Sequence, residues 1–495
     1  MGWQHRVAYG LLSIVAGAIF VLGLAPWQLW PAIPISMGLL LWLLHRTTQT
    51  SGFITGWLYG LGFFVAGASW VYVSINVFGR ASPLLAAFLT FIFCAGLALL
   101  FGIQSWLYKR FLAHSNFAPS LAFPALWVLF EGLRAWLLTG FPWLYSGYGA
   151  IDTPLAGWAP ISGVFGLSMV LVLLGSLPVS ALILPKFRRQ ALTGWLALLL
   201  ISLVGGKVLQ HHDWTAPRGE ILQAAIYQPN IPLEQKWDRR EFRKILQQFR
   251  TATDPLYADN DLIIWPESAL PAFRQRIEPY LDDISQRAQA HNSTLITGIP
   301  SRDDSGFHNS ILALGNGEGI YHKQKLVPFG EYVPLENWLR GLIDFFDLPM
   351  SNFVAGTSQQ AMLTAGELKV ATFICYEVVY PDFVASNSRG ADFLVTVSND
   401  SWFGRSIGPL QHLQMARFRA IETDRDMLRG ANNGVSAIID HKGNLRVQSA
   451  QFVESTVFGS IQPRTGNTPF MATGSWPVWG LCVIFLVICL RQARR

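Results

Sequence analysis

The chain has 495 residues and a net charge of +6; 51% of the residues are hydrophobic and only 14% are charged, a balance that indicates contact with a lipid bilayer. Most clustered basic residues lie in short loops between apolar segments, where orientation in a membrane accounts for them, so we expect no nucleic-acid partner. Three of the four cysteines fall within apolar segments, so the sequence predicts neither a disulfide framework nor a metal-ligand cluster.

Apolar segments dominate the first part of the chain. A helix needs about twenty apolar residues to cross the hydrocarbon core of a bilayer, where its backbone polar groups must be satisfied internally. The second segment contains Pro31 and Pro34 and fits this requirement least well. The sequence predicts about eight spans, which lie near residues 8–24, 29–44, 53–76, 83–107, 119–139, 158–184, 191–209 and 475–490.

The charged residues in the loops predict the orientation of these spans, because short loops rich in lysine and arginine remain in the cytoplasm. With eight crossings the basic loops and tails share one side, and their residues are Arg6, Arg46, Lys109, Arg110, Lys186, Arg188, Arg189, Arg491, Arg494 and Arg495. We therefore expect a multi-pass membrane protein; in a bacterial inner (cytoplasmic) membrane the side opposite the basic loops is the periplasm. Both termini would be cytoplasmic, and the large segment between the last two spans would be periplasmic.

That large segment, residues 213–470, has the composition of a soluble domain and separates the helices of 1–212 from a last span and tail in 471–495. Short β-rich runs alternate in it with polar helical stretches, and examples of the runs are ILQAAIYQPN, LIIWPE, TLITGIP, LKVATFIC and DFLVTVSND. This alternation is typical of an α/β layered domain. Reactive side chains of such domains usually sit where a strand ends and a loop begins.

Three such strand ends carry chemically useful residues, namely Glu267, Lys323 and Cys375. Each has an ordinary explanation when taken alone. A cysteine after an apolar strand is usually a buried small residue, a loop lysine is usually solvated, and a glutamate after a proline often caps a helix. Their occurrence together, in one predicted domain, makes a catalytic role the better interpretation.

The motifs around these residues resemble the nitrilase superfamily over residues 220–462. They are WPE at 265–267, YxKxxLVPFGE at 321–331 and CYE at 375–377. The apolar spans and the motif NDSWFG at 399–404 make the chain similar to the bacterial apolipoprotein N-acyltransferase family within that superfamily. The resemblance implies a membrane α-helical bundle joined to an αββα sandwich that carries a Glu-Lys-Cys triad.

The resemblance also implies a role for each matching residue. Glu267 would be the general base, Lys323 the charge stabiliser and Cys375 the nucleophile. Lys325 is a nearby alternative, but the lysine of the family stands eight residues before the glutamate of PFGE, which favours Lys323. Supporting positions, which hold the lysine, shape the pocket or lie near substrate, would be Glu331, Glu377, Tyr376, Asn309, Trp237 and Trp402. For the last four a packing role is an equal alternative.

The substrates implied by the resemblance are both anchored in the membrane. A phospholipid would donate its acyl chain to Cys375, and the α-amino group of the N-terminal diacylglyceryl-cysteine of an apolipoprotein would accept it from the thioester. Membrane lipids would therefore surround the protein. No metal or organic cofactor is implied, and we expect a monomer because the membrane anchor opposes the pairing common among nitrilase domains.

The segment Leu342–Met350 is unusually apolar for an exposed loop, and Phe345 and Phe346 are candidates for a lid over the site; a packed loop is the equal alternative. Two other functions remain open at this point. One is a membrane-tethered amidase of the nitrilase type, which uses the same thioester chemistry. The other is a transporter or scaffold with an inactive nitrilase domain, which an intact triad argues against.

Overall fold

A computed structural model of the chain describes residues 3–328, 330–332 and 352–493. Its described residues fall into two compact units. The first comprises residues up to His212 together with Arg405–Gln414 and the segment from Thr473 onwards, and the second comprises Asp213–Gly404 and Met415–Ala472. The boundaries predicted from the sequence, at residues 212 and 470, remain predictions, and the structural division differs from them chiefly by assigning 405–414 to the first unit.

The first unit is helical, as its apolar composition requires. Its α-helices are Trp3–Val21, Ala32–Arg46, Gly52–Ala68, Val71–Val73, Pro83–Leu107, Phe123–Arg134, Ala159–Ile183, Arg188–Gln210 and Trp476–Ala493. By length and composition, five helical stretches of the described chain are able to cross a membrane: Gln4–Val21, Pro83–Leu112, Pro154–Ile183, Pro185–Gln210 and Trp476–Ala493. The chain therefore has the helices of an integral membrane protein.

Eight predicted spans exceed this number, and the difference lies in three of them. The pair Gly52–Ala68 and Val71–Phe78, in place of span three, is bent by 62° and makes a sixth candidate if it is one span. The helix Ala32–Arg46 has only 15 residues and the helix Phe123–Arg134 only 12. Span two, predicted at 29–44, is a continuous helix of nearly the predicted length that lies two to three residues later. Span five, predicted at 119–139, is shorter because its α-helix ends at Arg134 and irregular turns follow.

Two buried charged residues hold such an irregular segment in the first unit. Oε1 of Glu131 accepts hydrogen bonds from the backbone N–H of Ser146 at 2.8 Å and from its hydroxyl at 2.6 Å. Nη2 of Arg134 donates to the backbone carbonyl of Leu144 at 3.3 Å, and its guanidinium lies over the rings of Phe63, Phe64 and Tyr145. Polar groups without access to water need such partners, so these residues stabilise a non-helical turn among helices.

Residues 405–414 belong to the helical unit although their sequence is polar. The side chain of Gln411 is buried, and its Oε1 accepts hydrogen bonds from the indole N–H groups of Trp143 at 2.7 Å and Trp70 at 3.2 Å. Oε1 of Gln414 accepts from the backbone N–H of Ala25 at 3.1 Å. These two glutamines therefore provide acceptors for buried N–H donors of the helical unit.

The second unit contains two main β-sheets flanked by helices. Its strands are β1 Ala216–Pro217, β2 Leu222–Gln228, β3 Leu262–Ile264, β4 Thr294–Asp303, β5 Gly306–Gly315, β6 Gly317–Glu318, β7 Ile320–His322, β8 Leu363–Ala365, β9 Leu368–Ile374, β10 Phe393–Ser398, β11 Met427–Ala431, β12 Ala437–Ile439, β13 Leu445–Gln448, β14 Ser455–Ile461 and β15 Arg464–Thr465. In the described chain the sheet orders are β14-β2-β3-β4-β5-β7 and β13-β12-β11-β10-β9-β8-β6, and β1 pairs with β15. Its helices are Leu233–Lys236, Phe242–Thr253, Glu278–Ala290, Pro381–Asn387, Gly408–Thr423, whose first residues lie in the other unit, and Pro469–Thr473.

The alternation of apolar residues along the strands explains the layers. In β2, Ala224 and Ile226 join a core formed with Val395 and Val397 of the other sheet, whereas Ala225 and Tyr227 face the helices Phe242–Thr253 and Glu278–Ala290. Successive side chains of a strand point to opposite faces, so one strand can serve both layers. A ring contact between Phe373 of β9 and Phe383 places a helix on the outer face of the second sheet. The unit is an αββα sandwich, as predicted.

The five β-rich runs quoted from the sequence are strands β2, β3, β4, β9 and β10, each within a few residues of the expected limits. A strand that the sequence did not suggest is β11, which lies within the second sheet and contains Arg429 and Gly430. Charged residues and glycine disfavour buried strands. Here the guanidinium of Arg429 donates to Asp400 at 2.8 Å, and both side chains are buried. A contact distant in sequence thus overrides the local preference.

Candidate active site

The predicted site residues follow strands whose carboxyl ends share one edge of each sheet. Strands β2, β3 and β4 run parallel to one another, as do β9, β10 and β11. Glu267 lies in the loop after β3, Cys375 directly follows β9, and Lys323 directly follows β7. Loops at the carboxyl ends of parallel strands are the usual position of reactive groups in such sheets.

Lys323 is at the centre of a buried ion cluster. Its Nζ lies 2.9 Å from Oε1 and 2.8 Å from Oε2 of Glu331, and 3.6 Å from Oε1 of Glu267. Burial opposes the charge, but the carboxylates of Glu331 and Glu267 together raise the pKa of Lys323 above its usual value. The lysine is therefore a fixed cation. Lys325, the alternative, is exposed, with its ammonium above the rings of Tyr380 and Phe383.

Asn309 links the two carboxylates of this cluster. Its Nδ2 donates hydrogen bonds to Oε1 of Glu267 at 2.7 Å and to Oε1 of Glu331 at 2.8 Å. The side chain is buried, and its position on β5 next to β4 fixes it by the sheet register. Hydrogen bonds to ionised groups are stronger than neutral ones. Asn309 therefore orients both acids, a more specific role than the proximity to substrate that was predicted for it.

The loop that carries Glu267 is held from two further sides. The backbone N–H of Asn399, after β10, donates to Oε2 of Glu267 at 2.8 Å. Gly298 lies directly beneath the loop, because a Cβ atom on it would stand 2.6 Å from Cα of Glu267 and 2.7 Å from the carbonyl oxygen of Pro266. The approach requires a glycine, although its own φ is ordinary. Both carboxylate oxygens of Glu267 are thus fixed.

Cys375 sits at a sharp turn between β9 and the short 3-10 helix Cys375–Val379. Its φ of +50° lies in the left-handed region, which non-glycine residues seldom adopt. Such strain persists only where the surroundings impose it, and it often marks a functional position. Burial raises the pKa of the Cys375 thiol well above its usual value, the charge of Glu267 raises it further, and Lys323 lowers it. The thiol is therefore protonated at rest.

Glu377 connects the turn of Cys375 with the loop of Lys323. Its Oε2 accepts the backbone N–H of Ile374 at 2.8 Å, and its Oε1 accepts the N–H of Gln324 at 2.6 Å and the hydroxyl of Tyr321 at 2.8 Å. Burial raises the pKa of Glu377 to about 7, although these backbone donors lower it. The position agrees with a residue that shapes the pocket rather than one that reacts.

The predicted aromatic residues differ in their surroundings. Trp237 is 39% exposed, Trp402 is half-buried in the turn Asp400–Phe403, and Tyr376 packs edge-on against Tyr380 with ring centroids 5.4 Å apart. Contact of these side chains with a substrate remains a prediction. Phe345 and Phe346, the lid candidates, lie outside the described residues.

Sequence reasoning missed Lys236, which precedes Trp237. Its side chain is buried, and its Nζ donates to the backbone carbonyl of Glu267 at 3.1 Å. A single lysine in a polar stretch looks like a solvated residue, and only the following tryptophan drew attention to this segment. The contribution of Asn399 was also hidden, because it acts here through its backbone N–H and not through its side chain.

A separate group of potential metal ligands comprises Asp213, Asp424 and His441, whose ligand atoms lie within 4.8 Å of one another. Nζ of Lys442 lies 3.1 Å from an oxygen of each aspartate, and Arg464 is 3.6 Å from Asp213. Two cations thus already neutralise the two carboxylates. The group is an ion-pair network that ties the segment before β1 to the body of the domain.

Two family profiles match the chain, one within the helical unit and one largely within the unit of the two sheets. The family profile described as apolipoprotein N-acyltransferase N-terminal domain matches residues 16–177, and the profile described as carbon-nitrogen hydrolase matches residues 223–470. A solved structure of a CN-hydrolase superfamily protein from Xanthomonas campestris is 18% identical, with a TM-score of 0.38, and its similarity covers 53% of this chain and 97% of that one.

Full-length relatives give the assignment. The apolipoprotein N-acyltransferase of Pseudomonas syringae pv. tomato is 44% identical over 507 residues, which cover 100% of this chain and 99% of the relative. The protein of the same name from Vibrio parahaemolyticus is 38% identical, over 98% of this chain and 97% of the relative. Since both relationships extend over nearly the whole length, the chain belongs to the apolipoprotein N-acyltransferase family.

Proposed function

We propose that this protein transfers an acyl chain from a phospholipid to the α-amino group of the N-terminal diacylglyceryl-cysteine of apolipoproteins, through a thioester on Cys375. The observation that carries the proposal is the pair Glu267 and Lys323, fixed 3.6 Å apart and acting electrostatically on the thiol of Cys375. Membership of the family supports the acceptor. The apolar helices support a donor that resides in the membrane.

The first half-reaction forms the thioester. Glu267 takes the proton of the Cys375 thiol as the sulfur attacks the ester carbonyl carbon of the phospholipid. The tetrahedral intermediate then collapses, the bond from carbon to the glycerol oxygen breaks, and that oxygen receives the proton from Glu267. The products are an acyl-enzyme and a lysophospholipid. A thiol with a raised pKa makes a general base necessary, which is the role that the position of Glu267 supports.

Charge that develops on the carbonyl oxygen needs a fixed donor. Lys323 is a buried ammonium held by Glu331, and the backbone N–H of Tyr376 follows the nucleophile directly, as in other acyl-transfer sites. We assign the oxyanion to these two groups. Loss of one such donor commonly costs on the order of 3 kcal/mol of barrier, or roughly a hundredfold in rate.

The second half-reaction consumes the thioester. The α-amino group of the acceptor, in its free-amine form, attacks the thioester carbon, and the C–S bond breaks as the amide forms. Glu267 accepts the proton that the nitrogen loses and returns it to the sulfur of Cys375. Both substrates carry long apolar chains and are anchored in the membrane, and water, the competing acceptor, must be kept from the thioester for transfer to exceed hydrolysis.

We further propose an inner-membrane location, with the catalytic domain in the periplasm and both termini in the cytoplasm. The basic loops on one side support it. Single cysteines introduced at Lys186 and at Asn444, in a chain without other cysteines, test it by labelling with a membrane-impermeant maleimide. Labelling of Asn444→Cys in spheroplasts, and of Lys186→Cys only after lysis, is expected. The reverse pattern would contradict the orientation.

The acyl-enzyme is tested by intact mass spectrometry after incubation with a phospholipid of defined chains. A hydroxylamine-sensitive mass increase of one acyl group is expected for the native protein and not for Cys375→Ala. Addition of a diacylglyceryl-cysteine peptide should remove the acyl group and leave it on the peptide amine. Release as free fatty acid in the presence of peptide, or no adduct from any phospholipid, would favour the membrane-tethered amidase instead. Light scattering of the detergent complex tests the monomer.

A further inference from the structure

Lys236 is a second buried lysine beside Glu267. It ends the helical turn Leu233–Lys236, its side chain is 1% exposed, and its Nζ donates to the backbone carbonyl of Glu267 at 3.1 Å. The neighbouring Trp237, in contrast, is largely accessible. Lysine is almost never fully buried unless a paired charge compensates it. The position of this ammonium therefore calls for an explanation in terms of the charges around it.

Those charges do not balance without Lys236. Glu267 and Glu331 are both buried, whereas Lys323 supplies one positive charge to the two of them. Lys323 also lies closer to Glu331, at 2.8 Å, than to Glu267, at 3.6 Å. Of the other carboxylates near the site, Asp400 is paired with Arg429 at 2.8 Å. Glu377, whose pKa burial raises to about 7, is held by the backbone N–H groups of Ile374 and Gln324.

The other groups that hold Glu267 are neutral. Asn309 and the backbone of Asn399 donate hydrogen bonds to its carboxylate without adding a charge, and the Cys375 thiol is uncharged at rest. With the ammonium of Lys236, the two carboxylates of Glu267 and Glu331 have two lysine cations beside them in place of one. It also interacts electrostatically with Glu267, whose charge stabilises it.

The turn that carries Lys236 is anchored and not merely packed. Asn432, after β11, accepts the N–H of Ile231 on its side-chain oxygen at 3.2 Å and donates from Nδ2 to the carbonyl of Ile231 at 2.8 Å. The same Nδ2 lies 3.3 Å from Oδ1 of Asn399, the residue whose N–H holds Glu267. One residue therefore fixes both segments that reach Glu267 from this side.

We propose that Lys236 is a positioning residue of the acyl-transfer reaction, whose ammonium fixes the loop of Glu267 and supplies the second positive charge that keeps this carboxylate ionised and able to accept a proton. The inference rests on the function proposed above. Burial lowers the pKa of Lys236 to about 8, so the ammonium is still largely protonated at neutral pH. Loss of this charge would leave Glu267 with only the counter-ion that it shares with Glu331, so acylation should fall off at a higher pH than in the native protein.

The test is the pH dependence of Cys375 acylation, measured as the initial rate of adduct formation with phospholipid in mixed micelles from pH 5 to pH 9. The variants are Lys236→Gln, which retains a donor for the carbonyl of Glu267 but no charge, Lys236→Met, which retains neither, and Lys236→Arg, which retains both. Lys244→Met removes an exposed lysine and is the matched control. Thermal unfolding of each variant reports whether it is folded.

We expect the acidic limb of the rate profile to move to higher pH by about one unit in Lys236→Gln and Lys236→Met. On the acidic side this shift corresponds to an about tenfold lower rate. In Lys236→Arg and Lys244→Met the limb should stay near its native position. If folded Lys236→Gln has its acidic limb at the same pH as the native protein, the inference is wrong. The same holds if both neutral variants lose the same fraction of the acylation rate at every pH. Failure of the native protein to form any adduct would instead overturn the proposed function, before the variants are compared.

Discussion

Asn309 holds Glu267 through its side-chain amide, with Nδ2 only 2.7 Å from Oε1. Because the same nitrogen also donates to Glu331 at 2.8 Å, the amide stands between two acids that would otherwise repel each other. Glu267, the proposed general base, and Glu331, which holds Lys323, are therefore parts of one arrangement. Its integrity depends on a neutral residue that has no reactive group of its own.

Replacement of Asn309 by alanine should lower the rate of Cys375 acylation. A hydrogen bond to an ionised group contributes about 1.5–3 kcal/mol, so a loss of roughly 10- to 100-fold is expected. Asn309→Asp should be worse, because it adds a third carboxylate around one lysine. The measurement is the initial acylation rate by mass spectrometry, with exposed Asn316→Ala as the control. An Asn309→Asp variant as active as the alanine variant would contradict this account of the cluster.

Gly298→Ala should displace Glu267 and reduce activity on the order of 100-fold, the usual effect of moving a catalytic group by about 1 Å. The added Cβ would meet backbone atoms of Glu267, Pro266 and Ser268, which cannot move separately from the base. Gly459→Ala is the matched control, since its closest neighbour is the end of the Ile438 side chain, which can rotate away. Acylation rates and unfolding temperatures of both variants are compared. Equal acylation rates of the two variants would mean that the loop of Glu267 can move without affecting the reaction.

Much of this site was predictable because the chemistry is concentrated in short motifs at strand ends. Glu267, Lys323 and Cys375 each follow a strand whose apolar pattern is clear in the sequence. Glu267 and Lys323 follow strands of one sheet and Cys375 follows a strand of the other, so the packing of the two sheets on each other brings the motifs together. The part of the fold that follows local periodicity was therefore recovered well.

The parts that were not predicted depend on contacts between residues distant in sequence. Lys236 is indistinguishable in sequence from a solvated lysine, and its burial depends on the loop of Glu267, 31 residues away. The strand with Arg429 requires Asp400 to neutralise it. Gln411 reads as part of a polar helix, yet its partners are Trp70 and Trp143 of the helical unit. Local preference carries no information about partners of this kind.

The thiol of Cys375 should respond in opposite directions to changes at its two charged neighbours. Glu267 raises the pKa of the thiol and Lys323 lowers it. Glu267→Gln should therefore move the pH midpoint of alkylation by iodoacetamide downward, and Lys323→Met should move it upward, each by about one unit or more. Both variants should fail to form the acyl-enzyme, because one lacks the base and the other the oxyanion donor.

The measurement is the rate of carbamidomethylation of the peptide that contains Cys375, followed by mass spectrometry between pH 6 and pH 10. Cys94, Cys482 and Cys489 are buried and serve as internal controls in the same sample. Greater thiol reactivity together with lost acyl transfer in Glu267→Gln would separate proton transfer from thiolate formation. A downward shift in Lys323→Met would mean that the lysine does not act on the sulfur as its position indicates.

Gln411→Leu should destabilise the helical unit. The substitution keeps the volume but removes the oxygen that accepts the indole N–H of Trp143 at 2.7 Å, whereas Trp70 retains the carbonyl of Gly67 at 3.1 Å. Loss of a buried hydrogen bond costs about 0.5–1.5 kcal/mol, or a few degrees in the midpoint of thermal unfolding. Tryptophan fluorescence during heating in detergent gives the measurement, and exposed Gln190→Leu, in the helix Arg188–Gln210, is the control. Equal midpoints for the two variants would mean that the polar segment 405–414 adds little to the stability of this unit, and that its side chains are there for another reason.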